Sequence, residues 1–337
     1  MKKLFVLPAA VMLMTATLVT QAQDKSGSAH SRFYLKVTGG YFFSVSPGQF
    51  PNVGPYPPQD LHTQYTPGRP NPLDTISRKV LTGSYGEGFR TGVSVGYDIN
   101  KYMSVEASFN YFHSQKNLMT RQSTTLAGSS TELGHVESHG YVNAVDFAPS
   151  LVVSPGMEKV NPYVRFGVVV PLWGRLYIET DAMQTSNPPA GAPVPPGTQV
   201  VTTISRKEEI KPNVTIGFQG ALGVSFKVAS RFDIFVEAEY RNIPVKSKEK
   251  EITRYNETNT LVGPAVHTIA GTRNLQDLST AEKNTVYVTT LDVNSNTPVN
   301  QQGTKVIYKY NDRPSNDLKS YINIGGLGLN AGLKFRL

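Results

Sequence analysis

The residues with the most chemical potential are His135, Glu137 and His139, spaced two apart. On an extended segment that spacing puts all three side chains on one face, where imidazole and carboxylate together bind a divalent metal weakly. The surrounding sequence is polar, so a solvated surface is the competing expectation. Two glycine patterns imitate catalytic motifs. Gly92-Val93-Ser94-Val95-Gly96 has nucleophile-elbow spacing, but that motif needs a sharp strand-to-helix turn, and this copy sits inside an alternating strand. Gly326-Leu327-Gly328-Leu329-Asn330-Ala331 approximates a dinucleotide fingerprint, yet no helix can follow it in the remaining residues. Close backbone packing explains these glycines better, and no cofactor is expected.

The elements that carry these residues are strands. The final stretch, 318–337, alternates Tyr321, Leu327, Leu329, Ala331, Leu333, Phe335 and Leu337 against Gly326, Gly328, Asn330, Gly332, Lys334 and Arg336. Further alternating runs occupy 32–43, 89–99, 102–112, 141–153, 163–172, 213–227 and 231–241. Pro149 argues for a local bulge in the fourth, and Gly325-Gly326 for one in the last. Gaps after strands one, three, five and seven are long (about 44–87, 113–140, 174–212 and 242–316), whereas those after two, four and six are short. That rhythm predicts an all-β, eight-stranded antiparallel up-and-down transmembrane β-barrel with long extracellular loops. If the last strand pairs with the first, the sheet has no edge.

Residues 1–22 read as a signal peptide: Lys2 and Lys3, an apolar middle, and a small-residue site at Ala22. Residues 23–337 are then a single barrel domain. No other run approaches the ~20 apolar residues of a membrane helix. A soluble lipocalin-like barrel or periplasmic binding protein would show the same alternation with its faces reversed; the signal peptide, strand lengths and one-sided loops favour the membrane. The chain has no cysteine, and its formal charge of +8 is scattered among acids, which argues against nucleic acid.

With the apolar phase toward lipid, Arg90, Glu106, Asp146, Arg165, Glu237, Glu239, Arg241, Lys334 and Arg336 face the interior or its rims. Eight strands leave room only for side chains, so a paired charge network that plugs the lumen is expected, with a narrow gated pore for ions or small solutes as the alternative. Tyr41, Phe43, Tyr97, Tyr111, Trp173, Tyr240 and Tyr321 fall near strand ends, where amphipathic rings suit the headgroup level.

In these alternating strands and the terminal Phe335 and Leu337, the chain resembles the small outer-membrane barrels of the OmpA/OmpX type common in Bacteroidota. The resemblance implies that Phe335 and Leu337 form the signal read by the barrel-assembly machinery, although the usual last residue is Phe. It implies contact with outer-membrane lipid and lipopolysaccharide, a monomer, and both termini on the periplasmic side. No globular domain is expected after the barrel. Barrel enzymes acting on lipid A use His, Ser and acidic residues, which His113, Ser114, Glu137, Ser138 and His139 supply in principle. Asp74-Thr75-Ile76 matches a short O-glycosylation pattern of Bacteroidota. The favoured expectation is a non-enzymatic anchor whose loops contact an extracellular ligand.

Overall fold

The computed structural model describes residues 32–337 except Ser46 and Val214, so the expected signal peptide lies outside the described residues. Eight strands form the body: β1 (Phe33–Phe43), β2 (Gly88–Asp98), β3 (Met103–Ser114), β4 (Glu132–Val153), β5 (Val160–Ser186), β6 (Gly217–Lys227), β7 (Phe232–Asn242) and β8 (Leu327–Arg336). Each pairs antiparallel with the next, and β8 pairs with β1, which closes the sheet. Stepping across the pairs from Phe33 through Tyr97, Val105, Leu151, Phe166, Gly220, Tyr240 and Leu327 returns to β1 at Phe43, ten positions further on. Ten residues of stagger at ~3.3 Å against eight spacings of ~4.8 Å tilt the strands by about 40°.

Alternation decides what faces where. On β7, Phe232, Ile234, Val236 and Tyr240 are exposed, whereas Asp233, Phe235, Glu237, Glu239 and Arg241 are buried. The same inversion recurs around the barrel: Leu35, Val37, Val93, Val95, Phe109, Val164, Phe166, Leu222, Leu329 and Leu333 are all exposed. An apolar belt of that extent is stable only against hydrocarbon. From Phe232 to Tyr240 it rises about 20 Å along the axis, given the tilt. Rings mark both margins: Tyr41 meets Phe89 at 4.9 Å and Phe43 at 5.1 Å, while at the other end Phe33 meets Tyr97 at 4.9 Å and Phe232 meets Phe335 at 4.8 Å. Tyr111, Trp173 and Tyr240 are also exposed.

Inside, large rings lie over glycines on the neighbouring strand. A Cβ at Gly96 would stand 2.0 Å from the Tyr34 ring, and Gly223, Gly328 and Gly332 stand in the same relation to Tyr163, Phe42 and Phe235. These glycines give the inward rings room in a narrow lumen.

At one end the connections are tight turns; at the other, the four long connections build a second layer. Residues 174–186 of β5 and the upper part of β4 continue beyond the barrel and pair with Asn117–Leu126 and Gln199–Asn213. The sheet extends through Pro244–Gly263 to Val266–Asn274 on one side, and through Gln59–Tyr65 to Leu73–Val80 on the other. Gln59–Tyr65 and Asn117–Leu126 run parallel.

Several expected boundaries move. The expected loops 113–140, 174–212 and 242–316 are largely strand, 44–87 carries the strands Gln59–Tyr65 and Leu73–Val80, and within 274–295 there is a 3₁₀ turn, Leu275–Asp277, a single helical turn, Thr280–Lys283, and the strand Asn284–Val288. β5 does not stop at Leu172: its register against β4 shifts between Pro171 and Trp173, and the strand continues. That irregularity accommodates the missing Pro171 N–H. The stretch 318–337 is not one strand. Tyr321–Asn323 pairs with Pro244–Lys246, and the chain then crosses close to the carbonyls of Arg241 and Phe43 at Gly325 and Gly326 before β8 begins.

Candidate functional site

Two features of the barrel interior bear on function: a charge network and an apolar stopper. The network is assembled from the inward phase of all eight strands. Arg241, 1% exposed, reaches Asp146 through two bonds of 2.9 Å and donates to Gln219 at 2.6 and 2.9 Å. Its Nε also lies 3.1 Å from Glu239. Arg165 pairs with Glu237 at 2.5 Å, Glu239 at 3.4 Å and Glu106 at 3.9 Å. Lys36 sits 3.4 Å from Glu237 and 3.7 Å from Glu106, with its ammonium 4.1 Å from the Phe235 ring centre. The hydroxyls of Tyr34 and Tyr163 donate to Glu106 and Glu237 at 2.9 and 2.8 Å. Arg90 lies 4.0 Å from Glu239 and rests on the Phe42 ring at 4.0 Å. Four cations thus face four carboxylates, all buried; charge-assisted bonds offset the desolvation of Arg241, Asp146 and Glu237, whereas the Arg90 Nε and Nη1 find no hydrogen-bond partner among the described residues and the guanidinium leans on Phe42.

Of the residues singled out in the sequence, Arg90, Glu106, Asp146, Arg165, Glu237, Glu239 and Arg241 come together here. Lys334 does not join them: it stacks on Tyr34 at 3.6 Å, near the tight-turn end, and makes no ion pair among the described residues. Arg336 pairs with Asp233 at 2.7 Å on that rim. Lys36, Tyr34, Tyr163, Gln219, Asn110 and Asn330 belong to the network and were not singled out. They share the inward phase, which is the signal that would have found them. The lumen opens at the turn end as a polar vestibule of about 360 Å³.

The stopper fills the other end. Phe50, Val53, Tyr85, Met119, Ile210, Ile243 and Ile324, from the long connections, pack on Val142, Ala144, Val169, Leu176 and Ile178 of the wall in one buried cluster. Above it three carboxylates, Glu208, Glu282 and Glu257, brace the outer sheet. Burial alone would raise the Glu208 carboxyl, but Arg206 and Lys250 hold it below the usual range. Glu282 is likewise depressed: bonds from Arg273 and from the Ser279 backbone and hydroxyl outweigh its burial. Glu257 accepts from the Tyr255 hydroxyl at 2.6 Å and from Thr304 at 2.8 Å, which ties the last connection to the sheet.

His135, Glu137 and His139 share a face of β4, and His139 comes within 3.7 Å of Glu137, but His135 does not join them. Among the described residues no group of three or more potential ligands is placed to hold a metal. Glu137 is engaged by Arg121 at 2.8 Å, and His135 by Glu132 at 3.2 Å. Ser114 and Ser138 are buried, Ser138 against Thr180 at 2.8 Å, while His113 bonds Asn143 at 2.6 Å on the opposite face. Strand alternation therefore separates the serines from the histidines. Ser94 is an inward residue bonded to Ser108 at 2.8 Å, with no elbow around it.

No curated protein matches this sequence. Residues 9–267 match the family model described as the outer membrane protein beta-barrel domain, and with that share of the chain matched, the closed eight-stranded barrel belongs to this outer-membrane family.

Proposed function

We propose that the protein is a sealed, non-enzymatic outer-membrane anchor that holds its outer sheet at the cell surface for contact with an extracellular ligand. The observation that carries this reading is the stopper: a solute entering at the loop end meets a dry cluster around Phe50, Met119 and Ile210 before it reaches the charged lumen. The long connections face the exterior and both termini the periplasm, as the alternation of long and short connections favours. Strand count and loop lengths support kinship with OmpA/OmpX-type barrels of Bacteroidota. Phe335 and Leu337, at the edge where β8 meets β1, are the contacts for barrel assembly. Lipid and lipopolysaccharide surround a monomer.

The turn-end vestibule favours a second reading, a narrow gated pore. Conduction then requires displacement of both the stopper and the Arg241–Asp146 pair. Planar-bilayer recording of the folded protein tests the two. The anchor reading expects no stepwise conductance, either for the native chain or for an Arg241→Gln variant that folds. Regular current steps that change in size or gating with Arg241→Gln would overturn it in favour of the pore.

A further inference from the structure

The lipid-facing wall is not uniform. An oblique valley crosses it along the paired residues Pro162, Val224, Val236, Ala331 and Gly39. The ridge above is formed by Val164, Leu222 and Leu329, and the ridge below by Phe226, Ile234 and Leu333, all strongly exposed. Ala331, Gly39 and Ala238 carry too little side chain to fill the space between, leaving a hollow of about 1070 Å³ with an apolar lining.

Its direction is informative. The valley runs across four interstrand spacings, ~19 Å, and because the strands tilt by about 40° it climbs about 12 Å toward the bilayer midplane. One leaflet of hydrocarbon is about 15 Å thick. The lower end opens at Pro155 and Pro162, beside two tight turns. Those turns present Lys159 and Arg231, both exposed and without an ion pair among the described residues; Lys227, whose N–H donates to the Lys159 carbonyl at 3.0 Å, lines the luminal vestibule instead. Glu158 is the one carboxylate on the turns. Unneutralised cations at a membrane surface attract anionic headgroups, each charge contributing about fivefold in affinity.

We propose that the valley seats one acyl chain of an anionic phospholipid in the leaflet at the turn end, with its phosphate on Lys159 and Arg231. Calling that leaflet periplasmic rests on the orientation proposed above; the site itself does not, and a symmetric bilayer tests it separately.

The test is native mass spectrometry of the full mature barrel released from nanodiscs of equal phosphatidylglycerol and phosphatidylcholine, with heat-shifted gel mobility as the folding control. One phosphatidylglycerol should be retained at least tenfold over phosphatidylcholine. Lys159→Gln/Arg231→Gln should abolish the preference, and Ala331→Phe should lower retention of both lipids. Ala331→Leu serves if the larger ring prevents folding. Equal retention of the two lipids by the native protein, a preference that survives the double substitution, or retention unchanged by filling the valley would each overturn the proposal. So would a dimer lost on Ala331→Phe, because the occupant would then be a second copy.

Discussion

Arg241 offers the sharpest test of the interior. Replacement by Met removes the guanidinium that bridges Asp146, Gln219 and Glu239 while keeping most of the side-chain volume. Asp146 would retain only the Asn110 bond of 2.8 Å, and Glu239 would depend on Arg165, Arg90 and Asn330. Stranding a buried carboxylate costs about 3–5 kcal/mol. With a urea slope of ~2 kcal/mol per M, the unfolding midpoint should fall by about 1.5–2.5 M. Adding Asp146→Asn to Arg241→Met removes the stranded charge, and part of the loss should return, a coupling of about 0.5–3 kcal/mol. Urea unfolding in micelles, scored by the heat-shifted gel band, reads both. A midpoint for Arg241→Met within about 0.3 M of the native protein would refute a dry, mutually dependent network.

Two further outcomes follow from the packing and from the outer sheet. Gly96→Ala drives a methyl into the Tyr34 ring, 2.0 Å away, and should cost about 1–3 kcal/mol in the same assay; in a Tyr34→Ala background the penalty should largely vanish. Glu208 and Glu282 have depressed carboxyls when folded, so the stability they contribute is present above the ordinary value of 4.5 and is lost as pH falls through their lower folded values. Proteolysis of the outer sheet should accelerate below about pH 4, with no change from these two groups between pH 6 and 8.

The barrel was legible in the sequence because its strands contrast two environments. Phe232 and Ile234 against Asp233 and Glu237 differ strongly in polarity, so period-two alternation stands out. It did not say which face was outward; the closed pairing and the exposure of the apolar phase decide that. The outer sheet was not legible for the opposite reason. Segments such as Asn117–Leu126 and Gln199–Asn213 are polar on both faces, and although each pairs with its sequence neighbour, its second partner comes from a remote connection, in one case in parallel register. Pro171 also disguised the length of β5, because a proline at a bulge reads in sequence as a strand end. In the lumen, charged residues were conspicuous, whereas Tyr34 and Tyr163 looked like ordinary strand aromatics until their hydroxyls were seen on Glu106 and Glu237. The metal reading of His135, Glu137 and His139 had the right face but not the right neighbours: Arg121 and Glu132 were invisible to local spacing.

A surface anchor requires the apolar wall to lie in the outer membrane with the outer sheet displayed outside. The chain has no cysteine, so single substitutions report cleanly. Thr75→Cys lies in the exposed strand Leu73–Val80, and Met157→Cys on an exposed tight turn. Treatment of intact cells with a membrane-impermeant maleimide should label Cys at position 75 and leave position 157 unlabelled until the cells are broken. Label at 157 but not 75 on intact cells would invert the orientation, and label at neither until lysis would contradict surface display altogether.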